Sequence, residues 1–402
     1  MRLLIADKME PQVFDELKVL GIEIVYKPEL TKETLSGALD GVGILVVRST
    51  EVTASAINSA KQLNLIVRAG AGVNTIDVAA ASARGIYVAN CPGKNAIAVS
   101  ELTMGFILAL DRRIADATNE LRAGRWEKTR YAAASGLYGR RIGIAGLGSI
   151  GREVLARARS FGLQPFAWSR SLTPGRAAKL DIGYARSLEE LAAKSDILSV
   201  HLPLTGHTKG IVSRAVIEAL PDGAILVNTA RHEVLDYEAL AELIPKKNLR
   251  VGLDVFASEP EKGSAEFAPP ILKLGTVYGT PHIGASTEQA QRAIALETAK
   301  IIRSFLTEET VPNVVNIAGA SPARYAVVLR MLDKVGVLAN TLSVFKRHGI
   351  NIEEISNTVF EGAIATCTKL RVTGRPSDAC VKEISAFDEV LHVDVIPIPS
   401  MA

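Results

Sequence analysis

The feature that most constrains the fold is a glycine-rich turn at Gly146–Gly151, with the sequence Gly-Leu-Gly-Ser-Ile-Gly. An apolar run over 142–145 precedes it, and a helical pattern over 151–159 follows it. In this strand–turn–helix context, Gly146 permits a tight turn, Gly148 lets backbone approach a pyrophosphate, and Gly151 lets helix and strand pack closely. The turn therefore predicts an α/β fold with a dinucleotide at the helix N-terminus, where backbone amides face the phosphates.

Short apolar runs alternate with helical patterns on both sides of this turn, as in parallel βαβ units. A chain of 402 residues is too long for one ordinary domain, so two or three domains are expected. Helices are predicted over 96–121 and 287–306. The predicted strands are 3–6, 23–26, 44–48, 65–68 and 87–89 before the turn, and 141–145, 164–168, 197–201, 224–228, 250–254 and 277–279 around and after it.

Composition excludes several classes of partner. The net charge of +3 is close to neutral for this length, so it does not suggest nucleic acid or a membrane surface. Cys91, Cys367 and Cys380 form neither a metal-ligand spacing nor a disulfide framework. The N-terminus is apolar only briefly and is typical of a first strand, not of a signal peptide. A cytoplasmic protein without a metal site is expected.

Three titratable side chains follow strands of the second series. Arg231 has the planar fork that binds a carboxylate through two hydrogen bonds. His282 is a candidate general acid or base, and a nearby Glu259 carboxylate would favour imidazolium and fix the ring orientation. Together they predict hydride exchange with a 2-hydroxy acid, in which the arginine holds the carboxylate and the histidine moves the hydroxyl proton. The alternative interpretation is a surface arginine at a turn and a structural histidine.

The order of these pieces closely resembles the D-isomer-specific 2-hydroxyacid dehydrogenase family, and most of all its branch that acts on 3-phosphoglycerate. The resemblance covers nearly the whole chain. It rests on the glycine turn, on Arg231, on Asp254 with Glu259, and on the segments 47–50, 68–74, 101–103 and 281–287.

The resemblance implies two doubly wound parallel-sheet domains. A flavodoxin-like substrate domain is split between 1–94 and 283–309, and a Rossmann cofactor domain over 95–282 is inserted in it. It also implies a homodimer or homotetramer.

Site residues are carried over one by one. Arg231, Glu259 and His282 are the implied catalytic set. Ala71 and Gly72 would offer amides to the substrate carboxylate. The implied cofactor-binding residues are Gly146, Gly148, Ser149, Ile150, Gly151, Ser169, Arg170, Thr229, Ala230, Asp254 and Gly284, of which Thr229 and Ala230 would line the nicotinamide and Asp254 would bond its carboxamide.

Two assignments keep alternatives open. Arg48 and Ser49 are placed to reach a substrate phosphate, but Arg48 serves equally well as a structural ion-pair partner. The cofactor is NAD or NADP. An acidic residue normally binds the ribose 2′-hydroxyl after the second strand, whereas this chain has Ser169, Arg170 and Ser171 there. These residues favour NADP slightly.

A linker containing proline and glycine is expected over 310–323, and a smaller domain over 324–402. Its order of strand, helix, strand, strand, helix, strand is ferredoxin-like. The segments 333–338 and 348–352 resemble the ACT domain, a regulatory module, which implies an amino-acid effector; the alternative is a domain that only dimerises. In serine-inhibited relatives the first loop carries a histidine and an asparagine. Met331 and Asp333 stand there in this chain, while Asn351 matches.

The leading functional hypothesis is oxidation of 3-phospho-D-glycerate to 3-phosphohydroxypyruvate, the first step of L-serine biosynthesis. One alternative is an NADPH-dependent glyoxylate or hydroxypyruvate reductase. Ser169 favours it, as do His232 and Glu233, which stand where family members often have two glycines after the arginine. A non-enzymatic alternative is a nucleotide-sensing scaffold like the corepressors that share this fold. The sequence leaves open the exact acid, the coenzyme, the direction, the effector and the subunit count.

Overall fold

The computed structural model describes residues 1–260, 264–308, 310–319 and 321–399. The chain divides into two compact units, Met1–Asn316 and Ile317–Ala402, here called unit 1 and unit 2. Unit 1 holds two parallel sheets, and unit 2 holds one four-stranded antiparallel sheet. The predicted α/β class, with two parallel sheets and a small C-terminal sheet, is confirmed.

The first sheet of unit 1 has the parallel order β2-β1-β3-β4-β5, which is the flavodoxin-like order. Its strands are apolar on both sides because helices cover both faces. Its elements are β1 Arg2–Ile5, α1 Gln12–Lys18, β2 Glu23–Tyr26, α2 Lys32–Ala38, β3 Val42–Val47, α3 Ala54–Ser59, β4 Leu65–Arg68, α4 Val78–Ala83 and β5 Tyr87–Asn90.

The connection to the second sheet is α5 Ala96–Arg112, α6 Ile114–Arg122 and α7 Lys128–Tyr131. The prediction of a single helix over 96–121 is therefore wrong, because one helix ends at Arg112 and another begins at Ile114. Arg113 adopts a left-handed conformation, with φ of 52°, and ends the first helix. Its guanidinium donates to the Asp116 carboxylate and lies 4.9 Å from the Tyr131 ring centroid. These contacts with α6 and α7 stabilise the change of direction at Arg113.

The second sheet has the order β12-β11-β10-β9-β6-β7-β8, all parallel. The strand order reverses between β6 and β9, where ligands bind in open α/β sheets. Its elements are β6 Arg141–Ala145, α8 Ser149–Ser160, β7 Gln164–Trp168, α9 Pro174–Lys179, β8 Gly183–Tyr184, α10 Leu188–Ala193, β9 Ile197–Val200, α11 Arg214–Ala219, β10 Ile225–Asn228, α12 Tyr237–Lys246, β11 Arg250–Leu253 and β12 Val277–Gly279.

After β12 the chain returns to the first sheet through α13, Glu288–Thr307. Thr287 caps this helix by accepting from the Ala290 amide. Ile294, Ile301 and Ile302 are buried in the same cluster as residues of β1 and β3. The helix therefore belongs to the core of the N-terminal sheet although it lies far from it in sequence.

Residues 313–316 also belong to the first sheet. The Asn90 amide donates to the Asn313 carbonyl, Ala89 forms a bridge with Val314, and the Val88 amide donates to Asn316 Oδ1 at 2.9 Å. Part of the segment predicted as a linker over 310–323 is thus fixed on β5, and the division between the units follows Asn316.

Unit 2 has the antiparallel order β14-β15-β13-β16, as in ferredoxin-like folds. Both helices pack on one face of the sheet around Phe345, Leu370 and Ile384. Its elements are β13 Tyr325–Leu332, α14 Val337–Arg347, β14 Ile352–Val359, β15 Ala365–Val372, α15 Asp378–Ser385 and β16 Val390–Pro397.

The described ranges contain neither a membrane-spanning helix nor a cluster of metal ligands. No helix there combines the length and the apolar character needed to cross a bilayer. No group of three or more His, Cys, Asp or Glu side chains there is arranged to hold a metal ion.

Candidate active site

Arg231 projects from a turn that the preceding strand holds in shape. Asn228, the buried last residue of β10, accepts from the Ala230 amide at 3.0 Å and donates to the Arg231 carbonyl at 2.9 Å. Arg231 Nη2 reaches the N-terminal sheet, where a Cβ atom on Gly72 would lie only 2.7 Å from it. The structure therefore brings together the predicted carboxylate ligand and the predicted amide donors.

His282 and Glu259 come from the ends of neighbouring strands and meet directly. The Nδ1 atom of His282 lies 2.6 Å from Oε2 of Glu259, while Oε1 accepts from the Phe256 amide at 2.8 Å. With a carboxylate as acceptor, Nδ1 carries a proton and Nε2 is left for a ligand. The imidazole is half-exposed, with 46% of its side chain accessible.

Burial by itself raises the pKa of Glu259, but hydrogen bonds from His282 and from the Phe256 amide outweigh it and bring the pKa below its ordinary value. The carboxylate is therefore ionised around neutral pH. It stabilises positive charge on the imidazole when the ring takes up a second proton.

Asp254 holds the loop that carries His282. Its buried carboxylate accepts from the Thr280 hydroxyl at 2.6 Å and from the amides of Ile283 and Gly284 at 2.8 Å. Burial raises the pKa of Asp254 in spite of these bonds. Both carboxylate oxygens already accept hydrogen bonds from this loop. A hydrogen bond between Asp254 and a nicotinamide carboxamide remains a prediction.

The glycine turn has the shape that a dinucleotide needs. Gly146 has φ of +100°, and a Cβ on Gly151 would lie 2.0 Å from the Gly146 carbonyl oxygen, so both positions exclude larger residues. At Gly148, by contrast, a Cβ would meet nothing within 4 Å. No side chain caps α8 at Gly148, so its first amides, including those of Ser149 and Ile150, are free for a phosphate. The open space at Gly148 and the free amides of α8 fit a pyrophosphate.

Ser169 and Arg170 follow β7, directly beside the glycine turn, because the Gly146 amide donates to the Trp168 carbonyl. Arg170 is exposed, and Ser169 is half-buried. Arg176 lies close by and donates to the Ser171 carbonyl at 2.9 Å. This edge of the site carries cations where an acidic residue would bind a ribose hydroxyl.

The predicted substrate residues lie at the ends of β3 and β4. The amides of Arg48 and Ser49 both donate to Oδ2 of Asp7, at 2.6 and 3.1 Å. The carbonyl of Ala71 accepts from the Asn90 side chain at 2.5 Å. The Ser49 amide is thus occupied, and the Arg48 side chain remains available to a ligand.

The sequence analysis assigned no individual role to several residues that shape the site, which are Asp7, Arg68, Asn90, Asn228 and Thr280. Each stands at or just after a strand end, which is the signal that pointed to Arg231. Short-range sequence does not show that Asp7 bonds a loop forty residues away, so these roles needed the structure.

Known families and proteins resemble this chain. The family model described as "D-isomer specific 2-hydroxyacid dehydrogenase, NAD binding domain" matches residues 104–284. A D-3-phosphoglycerate dehydrogenase of Methanocaldococcus jannaschii is 38% identical over 319 residues, which are 79% of this chain. The match covers 60% of that relative, so the chain spans less than two thirds of its length.

Two further relatives are matched over most of their length. A hydroxypyruvate reductase of Thermotoga maritima is 42% identical over 280 residues, which cover 69% of this chain and 89% of the relative. A solved structure described as NAD+-bound 3-phosphoglycerate dehydrogenase of Entamoeba histolytica is 26% identical, with a TM-score of 0.66, over 79% of this chain and 99% of that one. Together with the site geometry, these matches establish that this chain belongs to the D-isomer-specific 2-hydroxyacid dehydrogenase family.

Proposed function

We propose that the protein is a nicotinamide-dependent D-2-hydroxyacid dehydrogenase. The observation that carries the proposal is the 2.6 Å contact between His282 and Glu259, which leaves Nε2 of the imidazole for a substrate hydroxyl. Arg231 stands at the end of a neighbouring strand and reaches toward Gly72. One side chain thus moves a proton while another holds a carboxylate, as oxidation of a 2-hydroxy acid requires.

The residues divide the reaction between them. In the oxidative direction, Nε2 of His282 takes the hydroxyl proton as the hydride leaves C2. In the reductive direction, protonated His282 returns that proton to the developing alkoxide, and Arg231 polarises the ketone and holds the carboxylate. A nicotinamide dinucleotide, when bound at the glycine turn, supplies or accepts the hydride.

For the substrate we propose 3-phospho-D-glycerate, oxidised to 3-phosphohydroxypyruvate. The Methanocaldococcus and Entamoeba relatives carry names for this activity. In this chain the Arg48 guanidinium supports it, because it follows β3 at the substrate side and is not bonded to Asp7, which takes only the backbone amides.

A second candidate is reduction of glyoxylate or hydroxypyruvate. The Thermotoga relative named hydroxypyruvate reductase supports it. So does the pair formed by His232 Nδ1 and Glu233 Oε2, 3.1 Å apart next to Arg231, which adds bulk beside the carboxylate ligand. A smaller pocket favours a smaller acid.

Initial rates decide between the two substrates. Phosphohydroxypyruvate, hydroxypyruvate and glyoxylate are each supplied with NADH and with NADPH. A kcat/KM for phosphohydroxypyruvate at least tenfold above the others supports the first candidate, and the reverse order supports the second. Failure to reduce any of the three would discard both.

For the coenzyme we propose a preference for NADPH. Arg170 is exposed beside Ser169, and Arg176 lies one turn away, so a 2′-phosphate would meet positive charge and no carboxylate. A Ser169→Asp variant is expected to shift the ratio of kcat/KM toward NADH by about tenfold, on the scale of one charged hydrogen bond. An unchanged ratio would show that Ser169 does not face the ribose.

We propose that the first sheet with α13 forms the substrate domain and the second sheet the cofactor domain, in a homodimer or homotetramer. Unit 2 is the proposed regulatory module. Met331 stands where serine-inhibited relatives have a histidine, and it is buried at 1% exposure. An effector would therefore not contact this side chain. Thermal-shift screening of amino acids against the intact protein tests for an effector.

A further inference from the structure

The loop over 91–95 carries the chain from the first sheet to the second. It leads from β5 into α5, whose residue Phe106 is buried in the same cluster as Ile144 of β6. The loop passes close to the proposed phosphate site, because a Cβ atom on Gly93 would lie 3.8 Å from the Ser149 Cβ atom. The position of this loop therefore affects the first turn of α8, where a coenzyme would bind.

An ion pair joins this loop to α13. Lys94 Nζ lies 3.0 Å from Glu297 Oε2, and only 12% of the Glu297 side chain is exposed. Glu297 Oε1 accepts at 2.7 Å from the side-chain amide of Asn313. Burial by itself raises the pKa of Glu297, but the bonds from Lys94 and Asn313 outweigh it and bring the pKa below its ordinary value. The carboxylate is therefore ionised near neutral pH and holds both partners at once.

Asn313 begins the short segment 313–316 that pairs with β5 and immediately precedes unit 2. It has φ of 58°, a left-handed conformation that asparagine adopts more readily than most residues. Its carbonyl accepts from the Asn90 amide at 3.3 Å, and the Asn90 side chain donates to the Ala71 carbonyl at 2.5 Å. Asn313 is thus linked to the predicted substrate side through Asn90 and to the coenzyme side through Glu297.

We infer that Lys94, Glu297 and Asn313 form a network that couples segment 313–316 to the coenzyme turn. One carboxylate joins the loop between the sheets, the helix that returns to the first sheet, and the segment that continues into unit 2. Displacement of this segment would loosen the loop beside Ser149, and by thermodynamic linkage coenzyme binding stabilises the segment. The network is therefore a route from unit 2 to the coenzyme site. This inference rests on the proposed dehydrogenase function, and it makes Asn313 a positioning residue.

Coenzyme dissociation constants test the coupling in the intact chain. Asn313→Gly removes the donor to Glu297 but keeps the left-handed backbone and the carbonyl that binds the Asn90 amide. Lys94→Met removes the other partner of Glu297. By titration calorimetry, Lys94→Met is expected to raise the Kd of NADH and NADPH by about threefold, on the scale of one partly exposed ion pair. Asn313→Gly should raise the Kd by a smaller factor in the same direction.

The double variant shows whether the two residues act in one network. Asn313→Gly combined with Lys94→Met should match Lys94→Met alone, because both changes break the same connection. The matched control is Arg303→Met, which breaks an exposed ion pair of α13 with Glu16 at 2.7 Å and should leave the Kd unchanged. Effects that multiply in the double variant, or a Kd that neither single variant changes, would overturn the inference.

Hydrogen exchange tests the reverse direction with a readout other than activity. The Val315 amide donates to the Val88 carbonyl at 2.8 Å. In ligand-free Lys94→Met this amide should exchange about threefold faster than in the unaltered protein, because segment 313–316 opens more often. The Ala6 amide, which donates to the Val46 carbonyl within the first sheet, should keep its rate. Saturation with coenzyme should slow exchange at Val315 in the unaltered protein but not in Lys94→Met.

The ligand-free measurement separates this inference from the proposed function. If neither NADH nor NADPH binds, the dehydrogenase proposal fails, while faster exchange at Val315 in Lys94→Met would still show that loop 91–95 and segment 313–316 are coupled. If both coenzymes bind and are turned over but Val315 exchanges equally in the two proteins, the dehydrogenase proposal stands and the network is overturned.

Discussion

At the scale of single residues, the role proposed for Glu259 depends on its hydrogen bond with His282. Its pKa lies below the ordinary value because hydrogen bonds outweigh burial, so the carboxylate is charged wherever the enzyme would work. Glu259→Gln keeps the shape and removes the charge. We expect kcat to fall about 100-fold in both directions, as when a general acid–base pair is impaired.

The pH profile distinguishes this role from simple packing. Without the carboxylate, positive charge on the ring is less stable, so the acidic limb of the oxidation profile should move to lower pH in Glu259→Gln. Glu238→Gln, at an exposed position in the first turn of α12, is the matched control. A lower rate with an unmoved profile would mean that Glu259 only supports the loop.

His201 leads to a prediction about stability, because burial keeps this histidine uncharged. It is buried directly after β9, with Nε2 2.7 Å from the Ser199 hydroxyl, and burial lowers its pKa to about 3. The unfolded chain binds a proton near pH 6.5, but the folded chain does not until about pH 3, so stability falls as the pH drops through this window. Between pH 7 and pH 5 this group alone costs about 2 kcal/mol.

Urea unfolding at pH 7 and pH 5 measures that cost. His201→Gln is expected to be less stable than the unaltered protein at pH 7 but to lose about 2 kcal/mol less on acidification. His207→Gln, which alters an exposed histidine, should keep the full loss. Equal pH dependence in all three proteins would mean that His201 titrates normally.

At the scale of elements, two glycines at the start of α8 have different roles: Gly151 is needed for packing, and Gly148 leaves space for a ligand. A Cβ on Gly151 would press on the Gly146 carbonyl at 2.0 Å, whereas one on Gly148 would meet no protein atom within 4 Å. Gly151→Ala should therefore cost about 2 kcal/mol of unfolding free energy through overpacking. Gly148→Ala should keep stability within about 0.5 kcal/mol.

Coenzyme affinity should respond differently in the same two variants. The space at Gly148 is where a pyrophosphate would approach the backbone, so Gly148→Ala should weaken coenzyme binding about tenfold despite its unchanged stability. Titration calorimetry with NADH and NADPH measures the Kd. Normal binding by a stable Gly148→Ala protein would place the phosphates elsewhere.

The elements also show what sequence alone determines. Periodicity and strand-end positions predicted the parallel strands and the order Arg231, Glu259 and His282. They failed at Arg113, because the pattern of apolar residues continues through a left-handed residue whose bend depends on Asp116 and Tyr131. They also missed the bond from Asp7 to the Arg48 loop, since strand pairing, and not sequence distance, brings β1 beside β3.

At the scale of the whole molecule, the chain contains a part that relatives match as a complete protein. The Entamoeba structure is matched over 99% of its length by 79% of this chain, which corresponds in size to Met1–Asn316. Unit 2 has a core of its own around Phe345, Leu370 and Ile384, with Val344 fully buried beside them. Each unit therefore has the packing it needs to fold separately.

A chain that ends at Asn316 tests this division. Asn313, Val314 and Asn316 bond β5, so the cut keeps the last contacts of the first sheet. We expect the shortened protein to retain kcat and KM within about twofold, since every residue of the proposed active site lies in unit 1, and to lose any response to amino acids. A chain that ends at Glu308 should instead lose stability, because it lacks the strand-like pairing with β5. If the shortened protein folds, by circular dichroism, but turns over less than a tenth as fast, unit 2 contributes to the chemistry and the two units do not act independently.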